Sequence, residues 1–269
     1  MLTKPYYRVC CPLSNTARVR DGGQVLYAES DAYCNERIQL IRMYKILQSQ
    51  VIETFQYIEP VSDNKDTYSL RYHQLYGNIC AEIETNFRGI LKANGYARVD
   101  DKGRTVDEAR WAIDRDFFKV NSALKLHEYE IESSCCEISN SSTDTTKPFD
   151  QWSAIINTGL HVPLPWWRDH NAVKHYRSAD FKRANLKNVL TALAGLYILL
   201  SAQFGFLVDS VTNKSVMQAM TTGGEWITVT NNEMGYMFKQ TPTWSDPEKY
   251  DFDWNLIKAS NSPFDMYQF

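Results

Sequence analysis

A nearly unbroken apolar run, residues 189–200, constrains this chain more than any other feature. At twelve residues it falls short of the ~18 needed to span a bilayer, and it is flanked by Lys187, Asn188 and Gln203. A stretch that is apolar on every side belongs inside a protein. The expectation is a central buried helix, within a longer helical segment over residues 181–204, and no membrane span.

Two amphipathic segments precede it. Leu40, Tyr44, Leu47, Val51, Phe55 and Ile58 recur at spacings of four and three, one face of a long helix starting near Asn35. Pro60 and the polar residues 62–66 end it. Leu75, Ile79, Ile83, Phe87 and Ile90 mark a second helix over residues 68–93, closed by Asn94-Gly95, a helix-stop signal. The pair predicts an antiparallel helical hairpin. A weaker helix is expected over residues 106–120, with Ile113, Phe117 and Val120 on one side. His127, Tyr129 and Ile131 alternate with Glu128, Glu130 and Glu132, the period of a strand. Residues 139–146 read as a polar loop. Residues 225–230 and 234–239 predict a β-hairpin turning at Asn231-Asn232.

The fold class expected is therefore mainly α: a helical bundle with a long antiparallel hairpin, a central buried helix and small β-hairpin elements. The organisation expected is an irregular N-terminal arm (1–30), a helical domain (31–208) and a C-terminal extension (209–269) packed on the same domain. Sixteen Tyr, 12 Phe and 7 Trp argue against disorder. No apolar stretch marks the N-terminus as a secretory leader, and a cytoplasmic protein is expected.

The net charge is -3, so the chain as a whole does not attract nucleic acid. Residues 168–187 depart from that balance. Arg168, Lys174, Arg177, Lys182, Arg183 and Lys187 face only Asp169 and Asp180, a local excess of +4. This is the one phosphate-facing surface the sequence offers, and His170 and His175 lie in it. On a helix, Ala172, Val173 and Tyr176 share one arc, and His170, Asn171, Lys174, His175 and Arg177 share the opposite one. Cations hold a phosphate, and an imidazole titrating near ~6.5 moves protons at neutral pH. A merely solvated polar face accounts for the same residues, and His175 fits a hydrogen-bonded structural role equally well. Trp166 and Trp167 fit core packing better than base stacking. The six cysteines form no CxxC pair. Cys80 reads as a core residue, and Cys135 and Cys136 as free thiols. No metal site and no cofactor are expected, and no P-loop, G-x-S-x-G, H-E-x-x-H or G-x-G-x-x-G is present.

The run W-R-D-H-N-A-V-K-H-Y-R, followed by a long apolar helix, resembles the motif of the HEPN superfamily. That motif is an Arg, often followed by a polar residue, then four to six residues and a His. Arg168-Asp169 and His175 fit it, and a second register runs from His170-Asn171 to His175 with His in the place of Arg. The resemblance spans residues 31–208 and rests on about ten of them. It implies an all-helical bundle and a homodimer that joins two motifs in one cleft. It also implies metal-independent RNA cleavage, of the kind found in toxin and phage-defence systems, with an antitoxin or other regulatory protein as a further partner. On that likeness His175 would activate the ribose 2′-hydroxyl or protonate the leaving oxygen. Lys174 and either Arg168 or Arg177 would stabilise phosphate charge, and Asn171 would orient His or phosphate. His170 would complete the site, and Glu84 or Glu82 would face it. Other members of the superfamily only bind nucleotides or proteins, which leaves a non-catalytic HEPN-like protein as the alternative.

Overall fold

A computed structural model describes residues 3–18, 25–136, 145–208, 215–216, 218–220, 226–228 and 232–269. The fold is mainly α, with a small three-stranded antiparallel sheet. Helix α1 is Arg37–Glu53, extended by a 3-10 turn over Thr54–Gln56. Helix α2 is Leu70–Ala93. Its Ser69 side chain accepts from the Tyr72 N–H at 3.1 Å, which satisfies one of the orphan donors of the first turn. The helix stops at Asn94 and Gly95, whose φ of +67° suits glycine. Both bury the faces the periodicity assigns: Leu40, Tyr44, Leu47 and Val51 on α1, and Leu75, Ile79, Cys80, Ile83, Phe87 and Ile90 on α2.

These faces meet α6 (Leu186–Phe204), and the α2–α6 contact is the most extensive between elements of the fold. By length and composition α6 passes as a membrane span, yet 89% of its apolar window is buried inside the protein. Its N-cap is Asn185, whose side chain accepts from the Asn188 N–H at 3.0 Å. The expected start at 181 is corrected. Phe181–Arg183 forms a separate 3-10 turn before that cap.

The N-terminal arm is part of the core. Val9, Cys11 and Tyr27 are buried, and the arm bridges to the C-terminal tail at Tyr6–Asp265, Leu13–Tyr250 and Arg18–Asp253.

Two expectations fail for non-local reasons. The helix over 106–120 does not form. In its place stand 3-10 turns at Glu108–Arg110 and Phe117–Val120 and a one-turn helix α3 (Asn121–Leu124). The fully buried Asp116 carboxylate takes the Ala112 N–H (2.8 Å), the Tyr96 hydroxyl (2.9 Å) and the Arg98 guanidinium (2.7 Å). The backbone folds around that carboxylate rather than coiling on. The expected hairpin of 225–230 with 234–239 is also corrected. The strands are β1 (Glu130–Ser133), β2 (Thr145–Thr146), β3 (Leu207–Val208), β4 (Ser215–Val216), β5 (Gln218–Met220), β6 (Trp226–Thr228) and β7 (Tyr236–Gln240). β6 pairs with β5, while β7 pairs antiparallel with β1 at the centre of the order β2-β1-β7. Tyr236 and Phe238 of β7 pack on Tyr197 of α6, with centroids 5.0 and 5.7 Å away. Asn231 of the expected turn lies outside the described residues. His127 is in a 3-10 turn (Leu126–Glu128) rather than in the strand, and Thr145–Thr146 of the expected loop are strand β2.

Candidate functional site

After the short helix α4 (Ser153–Thr158), helix α5 (Pro165–Asp180) carries the basic segment. Pro165 stands at its start, where a missing N–H costs nothing. Trp166 and Trp167 are buried, so they anchor the helix and do not present faces to a base. The Trp166 indole donates to the Pro148 carbonyl at 2.7 Å, and the Tyr76 hydroxyl of α2 donates to the Trp166 carbonyl. Asp169 accepts from Arg183 at 2.5 Å and from the Asn188 amide at 3.2 Å. Arg183 also reaches Asp180 at 2.7 Å. Three charged residues of the basic segment, Asp169, Asp180 and Arg183, thus fasten α5 to the 3-10 turn that follows it, and Asp169 ties it to Asn188 of α6.

The anchored face leaves a cavity of about 310 Å³ between α5 and α2. His170, Val173 and Lys174 line it from α5, and His73, Tyr76, Gly77, Ala81 and Glu84 from α2. The His170 ring packs edge-on against Tyr76 and Trp167, with centroids 5.4 and 5.8 Å away. Burial, and then the Lys174, His73 and His175 charges, push its pKa down to about 4. At neutral pH it is an uncharged hydrogen-bonding group and a proton acceptor. Lys174 supplies the positive charge of the cavity and Glu84 the negative. Glu84 pairs with Arg88 at 2.7 Å. Glu82, the other carboxylate considered, is half-buried and is not among the residues lining this cavity; burial raises its pKa.

The expected polar arc is thereby divided. His170, half-buried, and Lys174, itself exposed, line the cavity. Arg168, His175 and Arg177 are exposed, Asn171 is half-buried, and none of these four lines it. The helix breaks at Tyr176 (φ −133°, ψ 50°), so Arg177 does not continue the row from His170 and Lys174. Tyr176 itself, expected on the apolar arc, is 70% exposed, while Val173 is buried as expected. The sequence pattern does not single out His73 and Tyr76. The signal that would find His73 is the row His73, Gly77, Ala81 and Glu84 at spacings of four, four and three, a polar and small edge beside the apolar stripe of α2.

Among the described residues no group of three or more His, Cys, Asp or Glu stands close enough to hold a metal ion. The cavity's chemistry is that of two imidazoles, an ammonium and a carboxylate around a space that admits one phosphate or one planar ring. In comparisons with known proteins, no family model, no curated protein and no solved structure matches this chain.

Proposed function

We propose that this chain is a metal-independent endoribonuclease of the HEPN type, in a helical bundle whose α1 and α2 form an antiparallel hairpin. The observation that carries the reading is the meeting of His73, His170 and Lys174 with Glu84 around one cavity. In that site the uncharged imidazole of His170 takes the proton of a ribose 2′-hydroxyl, and His73 is the second imidazole. The freed oxygen attacks the adjacent phosphorus, and a 2′,3′-cyclic phosphate forms as the 5′-oxygen leaves with a proton from that second imidazole. Lys174 balances the charge that grows on the phosphoryl oxygens. Arg168, Asn171, His175 and Arg177 on the outer face hold flanking phosphates or face the same segment of a second copy. A homodimer across a two-fold axis would put two such faces in one cleft. A toxin-like or phage-defence role in the cytoplasm, held in check by an antitoxin or regulatory protein, is part of the same proposal.

One observation favours the alternative, a non-catalytic protein that binds a nucleotide or a protein partner. Arg168 and His175, the two residues of the first motif register, stand outside the cavity within one chain.

The deciding experiment is RNA cleavage, with and without EDTA, by the wild type and by His170→Ala, His175→Ala and Lys174→Ala, each beside a thermal melt. Cleavage is expected to survive chelation, and loss of the acid–base imidazole to slow it about a hundredfold or more. His175→Ala, at an exposed site, is expected to change stability by less than about 1 kcal/mol. Lys174→Ala is expected to weaken RNA binding more than turnover. Cleavage abolished by EDTA and restored by Mg²⁺ overturns the proposal. A folded wild type that cuts no RNA moves the conclusion to the binding reading.

A further inference from the structure

A second cavity, of about 510 Å³, lies between the N-terminal arm, the turn before α1 and the C-terminal half of α2. Its size falls within the roughly 300–1,000 Å³ of small-molecule sites. At its wall is Arg8, only 4% exposed. The guanidinium is held from behind: Nε donates to Gln203 at 2.9 Å and Nη2 to Asn86 at 3.4 Å. Gln203 and Asn86 are themselves buried and joined at 3.0 Å. Nη1 is left with the Glu36 carboxylate at 3.8 Å, a group whose side chain is 55% exposed. A buried cation with so distant a counter-charge is costly to keep, and burial pushes its pKa down.

Four further features bear on the same space. The Arg8 backbone sits at φ +56°, a left-handed conformation that non-glycine residues adopt at a cost. It is fixed on both sides by Tyr7 N–H to Asp265 and Cys10 N–H to Ala202. Gly89 lines the cavity, and a Cβ there would stand 2.0 Å from Nη1, so only glycine lets the guanidinium lie against α2. Asn35 and Glu36 bring the N-terminus of α1 to the cavity, and that helix has no side-chain cap. The Arg37 N–H donates to the Cys34 carbonyl at 3.4 Å, and the positive dipole end of the helix favours an anion. Arg88 and Lys92 also line the cavity, as do Asp31 and Glu36; Arg88 is paired with Glu84 at 2.7 Å and Lys92 with Glu108 at 2.9 Å, pairs that a phosphate competes with.

We propose that this cavity binds the phosphate group of a small phosphorylated molecule of about nucleotide size, with Arg8 Nη1, Arg88, Lys92 and the α1 N-terminus around it. A phosphate presents oxygens in several directions at once and matches donors that converge from the arm, α1 and α2. A flat carboxylate offers two oxygens in one plane and leaves part of that set unmet. The site is a different cavity from that of His170, linked to it through the Arg88–Glu84 ion pair, and it does not depend on the RNA-cleavage reading.

The test is isothermal titration calorimetry of the full chain with inorganic phosphate, adenosine monophosphate, adenosine and succinate. The wild type is expected to bind phosphate and adenosine monophosphate saturably, and adenosine and succinate at least tenfold more weakly. Gly89→Ala suits the test because the new methyl displaces the flexible end of Arg8 while alanine favours the helix. It is expected to keep its circular-dichroism spectrum and weaken phosphate binding about tenfold or more, the loss of one charge-assisted hydrogen bond. Lys92→Gln is expected to weaken it severalfold, and His170→Ala to leave it unchanged. No saturable binding of either phosphate ligand overturns the proposal, as does undiminished binding by folded Gly89→Ala. Equal affinity for succinate assigns a carboxylate site instead, and binding lost in His170→Ala places the ligand in the other cavity; either result overturns it.

Discussion

His170 ties the stability of the fold to pH, and the size of that effect follows from where the ring sits. In the unfolded chain the imidazole titrates near its ordinary value of 6.5, whereas in the cavity its pKa is down to about 4. The charged and titratable groups around it are Lys174 on its own helix and His73 and Glu84 on α2, with His175 acting from outside the cavity. Because the folded pKa is depressed, the unfolded state binds the proton more readily between those values. Stability is therefore lost as pH falls from about 6.5 towards 4. Between pH 7 and pH 5 the full linkage amounts to about 1.8 kcal/mol. The ring is only partly buried, so solvent screening cuts this roughly in half, to about 1 kcal/mol. The perturbation is His170→Phe, which keeps an aromatic ring between Tyr76 and Trp167 and removes the titration. Urea denaturation of both proteins at pH 7 and pH 5 gives a double difference in which other groups cancel. Those groups include His127 and His161, also depressed by burial, and Glu29, raised to about 7. The wild type is expected to lose about 1 kcal/mol more than the variant on acidification. Equal losses would show that His170 is not desolvated and that the cavity is open to water.

Two more outcomes test the fold and its assembly. Asp116→Ala strips the partners from Tyr96, Arg98 and the Ala112 N–H and leaves them unpaired. It is expected to cost about 3 kcal/mol in urea melts, and a loss under about 1 kcal/mol would refute the account of why residues 106–120 do not form a helix. Light scattering at micromolar concentration is expected to give the mass of a dimer if two α5 segments share one cleft. A monomer under those conditions removes the shared cleft from the proposal.

The helices α1, α2 and α6 were legible in the sequence to within a few residues, because a period of 3.6 and a capping side chain are local properties. Leu75 to Ile90 bury one face of α2 whichever element covers it, and Ser69, Gly95 and Asn185 end helices through contacts a few residues away. The basic segment 168–187 was equally visible as a departure from the charge of the chain. Which of its groups converge was not visible. Helical geometry alone sets His170 and His175 on one polar arc, since both lie away from Val173. Tertiary packing separates them: the buried Trp166 and Trp167 fix the rotation of α5 against α2, and this places His170 in the cavity beside His73 and Glu84, with the exposed Lys174 lining it, and leaves His175 outside. The burial of Asp116 and the pairing of β7 with β1 likewise depend on residues far away in sequence. The Arg8 cavity depends on three distant segments at once, the arm, the start of α1 and Gly89, none of which carries a signal alone. The sequence by itself determined which stretches coil and which face each one buries, because those choices are made within a turn or two of helix. Only the tertiary structure decided which polar groups share a cavity, because that follows from how buried side chains of separate elements interlock.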